Sequence, residues 1–546
     1  MHDTDLNLLM VHADDHSPAM EPVADDSVEP GEVGATLPEY LWDEGADPND
    51  LETQRWGLIV PEGARGDRLL DLIRPLRAHR EAQQGGHEVR VYRVPPRMSA
   101  SEAAVWKKTH FRSQADLDID LPKYQLILGD LDEVPLSLQQ VQATDGYVGR
   151  LAFDEDDHYA AYVHKLLRWE QNPSPHQQGR AVFHTVHDGT AATGVGYRSL
   201  IQPGMAVAHS RQERGQLQAA EIRQSGELHA PSRQGFVDAA QMDRPGFLFS
   251  LSHGEGPPRS GWRSAAAQRE GQGAMSFGQD GRIHGNDLRD APFLPGGMWF
   301  MLACFGAGSP DASAYAHWLE ELKKLGQFRG DPRRVLRGIS QERPFIAHLP
   351  KTVLASDQGP LSFVGHIDLA WTYSFQELDQ GAVNRPAKFF EVMRSAMKGD
   401  RMGIAFHTLE RFLGETNGEL TSLQDESKRR GGRLSTDERK RAGHLWMLRQ
   451  DLSAYVLLGD PAARLPLAEP APAPRLSLPF SVPAPTPSPD PLPLDIDTLE
   501  EAIGAVLVGD DSLKSIARAF GLERSTLREL ADRYRAAGRA ALGLEK

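Results

Sequence analysis

The chain has 546 residues, a formal net charge of -16 and a single cysteine, Cys304. That length suits about three or four domains, and one cysteine excludes an intramolecular disulfide or a zinc site built on more than one thiolate. The charge is local: residues 1–54 hold fifteen Asp or Glu and no Lys or Arg, so residues 55–546 sum to only -1. A nearly neutral body points neither to a polyanion binder nor to a polyanion mimic.

In chain order, residues 1–54 read as an acidic, mostly disordered tail, because stretches such as EPVADDSVEPGEVGATLPE (21–39) offer few bulky apolar side chains to bury. The opening MHDTDLNLLMVHADD lacks a basic n-region, and the longest apolar runs, such as MWFMLACF (298–305), are far too short to span a bilayer. No membrane association is expected, and the reading is a cytoplasmic protein.

The body alternates short apolar runs with helical patterns. Strands are predicted at 56–60, 89–94, 124–129, 181–186, 246–252, 298–304 and 361–367, and helices at 67–84 and 159–170. Most strand runs are apolar throughout, as in strands covered on both faces. Such alternation predicts α/β layers around a mainly parallel sheet, with chemistry at the carboxyl ends of strands. Twelve prolines fall between Pro461 and Pro493, a composition that favours an extended spacer.

Two strand ends carry reactive residues. GFLFSLS (246–252) runs into His253-Gly254, and MWFMLA (298–303) runs into Cys304 followed by FGAGS. A thiol and an imidazole on neighbouring strand ends suit nucleophilic acyl transfer, with following amides able to face an oxyanion.

In these residues the chain resembles the caspase-type cysteine peptidases, and within them the gingipain-like branch, peptidase family C25. The resemblance covers residues 55–466 and is carried by motifs in order: YVGRLAFDEDDHYAAYVHKLLRWE (147–170), FSLSHG (249–254), FMLACFGAG (300–308), LSFVGHIDLAWTYSF (361–375) and YVLLGDPAARLP (455–466). It implies a caspase-like α/β sandwich, preceded by a smaller α/β subdomain (55–175) and occupying 176–466 as the catalytic domain. It implies Cys304 as nucleophile, His253 as the proton-transfer partner, backbone amides of Gly254 and Cys304 as oxyanion hole, and Trp371 as a wall for the substrate side chain before the cut. It implies a protein or peptide substrate; no cofactor and no metal ligands are read in the sequence, and the calcium ion common among such peptidases is not placed in it.

Specificity for a basic residue before the cut would need a pocket carboxylate. VHDGTAATGVGY (186–197) supplies Asp188, which could serve the pocket or orient His253, but not both; Asp287 and Asp290 are the alternatives. GQGAMSFGQDG (271–281) fits no phosphate-loop spacing and is read as a mobile flap beside the site. His284, His348 and His366 show no metal-ligand spacing.

After a linker at 467–494, residues 495–546 form a small trihelical module in which Ala517, Gly521 and Leu527 match a helix-turn-helix core. Residues 512–546 carry eight Lys or Arg against four Asp or Glu. Arg524, Ser525, Thr526 and Arg528 would start a recognition helix. DNA binding and docking of an adaptor protein both fit this module. A catalytically inactive protease-like scaffold and a DNA-binding regulator are the alternatives to an active peptidase.

Overall fold

The computed structural model describes residues 7–21, 47–114, 121–228, 230–324, 326, 331–336, 339, 343–375, 385–468, 502–503, 506, 516–518, 520 and 522–541. Residues up to Pro470 make one compact unit, and Ala471–Lys546 a second.

Sixteen strands lie among the described residues: β1 Met10–His12, β2 Trp56–Pro61, β3 Arg90–Val94, β4 Tyr124–Leu128, β5 Tyr147–Leu151, β6 Gly179–Thr185, β7 Ala219–Ser225, β8 Gly246–Leu251, β9 His253–Gly256, β10 Met275–Ser276, β11 Arg282–Ile283, β12 Met298–Leu302, β13 Gly308–Ser309, β14 Phe345–Ile346, β15 Ser362–His366 and β16 Tyr455–Leu458. Ten of them form one sheet in the order β3-β2-β4-β5-β16-β15-β12-β8-β6-β7. Every pairing in it is parallel except β15 with β16.

The predicted strands all form, within a residue or two at their ends. Most are apolar throughout because both faces are covered; β3, RVYRV at the sheet edge, is the exception, with exposed Arg93. Phe247, Phe249, Met298, Phe300 and Leu302 enter one apolar cluster, and Leu248, Trp299 and Met301 enter the other. The first cluster is closed by helices Arg385–Lys398, Met402–Arg429 and Thr436–Ser453, the second by Asp156–Gln171 and His348–Ala355. Each fully buried Leu or Phe contributes on the order of 1.5–3 kcal/mol. The pattern at 67–84 divides into helices Ala64–Leu72 and Arg74–Gln83. Pro75, near the start of the second, has no N–H to continue the first.

Three findings differ from the sequence expectations. The proposed boundary near residue 175 does not separate two sheets, because β16 from the far end of the unit lies between β5 and β15 and joins both halves. Pairing at that sequence separation leaves no local signature. The acidic segment 1–54 is not uniformly tail-like. Leu8, Leu9, Met10 and Val11 are at most 4% exposed, β1 pairs with β9, and Leu51–Gln54 is helical. Averaging charge over 54 residues hid the apolar run LNLLMV (6–11); residues 22–46 lie outside the described residues. Finally, 271–281 is part of a second sheet, β1-β9-β10-β11, packed beside His253 rather than a free flap.

In the C-terminal unit, Ala502, Ile516, Ala517, Leu522 and Leu527 form a small core, and Arg524–Ala541 is helical. Gly521 and most of the linker lie outside the described residues.

Candidate active site

β8 and β12 are parallel neighbours in register, with Leu251 opposite Leu302. His253 and Cys304 each stand two residues beyond that pair, so the sheet delivers both to one edge. Their backbones nearly touch. A Cβ on Gly254 would fall 1.8 Å from the Cys304 carbonyl oxygen, so only glycine permits this approach. Phe305, directly after the cysteine, has φ 55, the left-handed region that costs a bulky residue ~1–2 kcal/mol. Its N–H donates to Asp368 O at 3.0 Å, which holds the turn.

The His253 ring is fully buried. Its Nε2 lies 2.8 Å from Thr190 Oγ1 and 3.6 Å from Asp188 Oδ2. Asp188 is itself aimed: its Oδ1 accepts from Thr190 N–H at 3.0 Å and from the hydroxyls of Thr190 and Thr193 at 2.8 Å each. Asp188 thus lies against the His253 ring. Burial pushes the His253 pKa down, while Asp188 and the Leu9 carbonyl oppose that shift. Nδ1 of His253 and Oδ2 of Asp188 are buried without a hydrogen bond.

Burial likewise pushes the Cys304 thiol well above its ordinary range. Ala370 brackets the sulfur, its N–H donating to Sγ at 3.2 Å and its carbonyl accepting from the thiol at 3.5 Å. The loop carrying Ala370 is fixed from beneath. Asp451, fully buried, accepts from Trp371 N–H at 2.9 Å and from the Ser374 hydroxyl, and its Oδ1 lies 3.3 Å from His366 Nε2. Asp368 accepts from Ser313 Oγ at 3.0 Å and from the N–H groups of Ala314 and Leu369. Trp371 is 1% exposed and stacks edgewise on Tyr315 and Trp318.

The amides of Gly254 and Cys304 have a shared acceptor. Both N–H groups donate to the carbonyl oxygen of Leu9, at 3.1 Å each. Leu9 N–H in turn donates to Ala370 O at 3.1 Å. The sequence reading missed Leu9, Thr190, Thr193, Ala370, Asp368 and Asp451. Only the LNLLMV run and the threonines flanking Asp188 could have signalled any of them.

Asp287 is exposed and caps the short helix Gly285–Leu288, its Oδ2 accepting from His284 N–H at 2.8 Å. Asp290 is exposed as well. His284, His348 and His366 each have an ordinary polar neighbour, and among the described residues no group of three His, Cys, Asp or Glu could hold a metal ion. No helix among the described residues is long and apolar enough to cross a membrane. In the C-terminal unit Arg524, Ser525 and Arg528 are exposed and Thr526 is half-buried.

The architecture is a mainly parallel ten-stranded sheet covered by helices on both faces, in a unit followed by a second, C-terminal one. The structure is similar to three solved protease structures. One, described only as a protease, shares 12% identity over 77% of this chain and 80% of its own, with a TM-score of 0.43. The Arg-specific cysteine proteinase gingipain R shares 11% identity over 78% of this chain and 82% of its own, at TM-score 0.44. A complex of the pro- and mature domains of that proteinase from Porphyromonas gingivalis shares 10% over 76% and 81%, at TM-score 0.41. A family profile described as a helix-turn-helix domain matches residues 500–543. None of the curated proteins matches the chain.

Proposed function

We propose that the chain is a cysteine endopeptidase in which Cys304 and His253 form the dyad and Asp188 orients the imidazole. One observation carries this reading. An amide carbonyl, that of Leu9, accepts from the N–H groups of Gly254 and Cys304 at 3.1 Å each, the arrangement a tetrahedral oxyanion needs. The dyad rests as neutral thiol and imidazole, since burial disfavours the charged form of each. The proton therefore moves to His253 as sulfur attacks the carbonyl carbon. The imidazolium then protonates the leaving amine, and the neutral ring activates the water that hydrolyses the thioester. Asp188 stabilises the transient imidazolium. A reducing compartment, which preserves a lone thiol, is the setting proposed.

The test is turnover of a mixed-sequence peptide library, read by mass spectrometry, by wild-type, Cys304→Ala and His253→Ala chains. Cleavage by the wild type alone supports the peptidase. Cleavage that survives Cys304→Ala contradicts it, and no cleavage by any chain favours a protease-like scaffold.

A second activity rests on the helix-turn-helix match at 500–543 and the exposed Arg524, Ser525 and Arg528. We propose that this module binds DNA. A gel shift that weakens steeply with salt supports it, because phosphate contacts release counterions; salt-independent association with a protein favours an adaptor instead.

A further inference from the structure

The segment Asn7–His12 lies across the dyad as a substrate would. On its amino side it runs antiparallel to the loop 370–372. Leu8 bridges Trp371, Leu9 N–H donates to Ala370 O at 3.1 Å, and Thr372 N–H donates to Asn7 O at 3.3 Å. Main-chain pairing of this kind is how an extended peptide gains affinity on a strand-like edge. After Leu9 the chain changes partners. Met10, Val11 and His12 pair in parallel with Gly254, Glu255 and Gly256 of β9. A hairpin follows, with His12 N–H to Ser17 O and Ala19 N–H to Met10 O, both at 2.9 Å.

The change of partner falls at the Leu9 carbonyl, the group held by the Gly254 and Cys304 amides. Leu9 N–H also lies close enough to Cys304 to favour its thiolate, and Leu9 O close enough to His253 to favour its imidazolium. Leu9 is 1% exposed, within the apolar cluster that contains Cys304, Ala370 and Trp371. The two sides of the Leu9–Met10 bond are fastened independently. The loop 370–372 holds the acyl side. The amine side is held by β9, by Arg282 Nη1 donating to Ala13 O at 3.2 Å, and by Arg259 paired with Asp15 at 2.8 Å. Cutting that bond therefore leaves each product with its own anchor.

We infer that Leu9–Met10 is a substrate bond of this chain, cut by its own Cys304, and that the pocket holding Leu9 selects leucine before the cut in other substrates. This rests on the peptidase reading above and departs from the basic specificity expected from the sequence. Asp188 is engaged with His253, and Asp287, a helix cap, and Asp290 are exposed whereas Leu9 is buried. In the step, Cys304 Sγ gives its proton to His253 and bonds the Leu9 carbonyl carbon. The carbon–nitrogen bond to Met10 breaks, and His253 returns the proton to the Met10 amine. Water, giving a proton to His253, then attacks the thioester. The carbon–sulfur bond breaks, the thiol is reprotonated, and Leu9 leaves as a carboxylic acid.

The experiment follows the intact mass and N-terminal sequence of the full chain over time, alongside cleavage of the mixed peptide library. A wild-type product beginning at Met10, absent from Cys304→Ala and Leu9→Asp but retained in Leu9→Met, together with library cleavage after leucine, supports the inference. Library cleavage only after Arg or Lys, with the Leu9–Met10 bond intact, overturns it and leaves the peptidase standing. No library cleavage and an uncut chain overturn the peptidase reading and this inference with it. Circular dichroism matching the wild type checks that Leu9→Asp still folds.

Discussion

Both halves of the ten-stranded sheet carry buried polar residues in or against their strands, yet they treat them differently. In the β2–β5 half, Arg150 is fully buried and saturated. It donates to Gln139 Oε1, Gly129 O and Val134 O at 2.8 Å each. Lys351 is paired with Asp130 and Asp154 at 2.7 Å each. Arg80, 0% exposed, is clamped by Glu170 at 2.6 Å and Asp460 at 2.7 Å. In the β8–β12 half, His253 Nδ1 and Asp188 Oδ2 are buried without a hydrogen bond, and the Cys304 thiol is met by backbone groups of Ala370 and Leu9 rather than by a charged side chain. A buried polar group left unsatisfied carries a desolvation penalty of roughly 1–3 kcal/mol, so such groups mark places where the fold sacrifices stability. The paired charges tie the first half together, although Gln125 Oε1 and both amide atoms of Gln142 are buried there without a partner; around Cys304 and His253 it is ionisable groups that are left unpaired.

The contrast can be broken at several points. The largest effects belong to the dyad. Cys304→Ala should abolish peptide turnover, and His253→Ala should lower it by ~10²–10⁴, the usual worth of positioned acid–base catalysis. Neither should lower the thermal midpoint appreciably. At the paired charges the reverse holds. Arg80→Met strands two buried carboxylates and should cost ~3–5 kcal/mol in denaturant unfolding, as broken buried pairs do. Arg80 also holds the Glu170 carboxyl well below its usual range. The stability from that pairing is complete above the ordinary carboxylate range and is lost as pH falls from there toward the much lower folded value, so Arg80→Met should lose less than wild type on acidification.

Asp188→Asn should lower turnover by about 10²-fold, less than removal of the imidazole it serves. Because Asp188 raises the His253 pKa, the acid limb of the pH–rate profile should move to lower pH in this variant. A purely structural role would not move that limb. The smallest effect is on stability near the amine-side anchor. Burial pushes the Glu255 carboxyl up to about 7 despite Arg282 at 2.8 Å, with His16 Nδ1 3.3 Å away on its other side. The folded state then keeps a proton that the unfolded chain has lost. This contribution is full below the unfolded carboxyl range and disappears as pH rises to about 7. His16, its pKa lowered by burial, works in the opposite direction. The wild-type minus Glu255→Gln difference in thermal midpoint, measured from pH 4 to pH 8, should fall with pH.

The same division explains what the sequence made legible. The buried strands were readable because two covered faces demand continuous apolar runs, as in GFLFSL and MWFML. The two strand-end residues His253 and Cys304 were readable because each breaks such a run. β7 escaped notice because AAEIRQS lies at the sheet edge and is largely exposed, leaving little apolar signal. β16 was located by motif, but its place between β5 and β15 depends on pairing across the whole unit. The role of Asp188 was open because only the fold aims its carboxylate, through Thr190 and Thr193. Leu9 was hidden because an acidic segment was judged by its average rather than by its one apolar run.

The most direct test of the account is to treat the wild-type chain with a peptidyl acyloxymethyl ketone bearing leucine next to the warhead, then map the adduct by mass spectrometry. The account predicts modification of Cys304, appearing as residues up to Leu9 are lost and absent in His253→Ala. Labelling that is unchanged in His253→Ala, or no adduct with either the leucine reagent or its arginine counterpart, would contradict it.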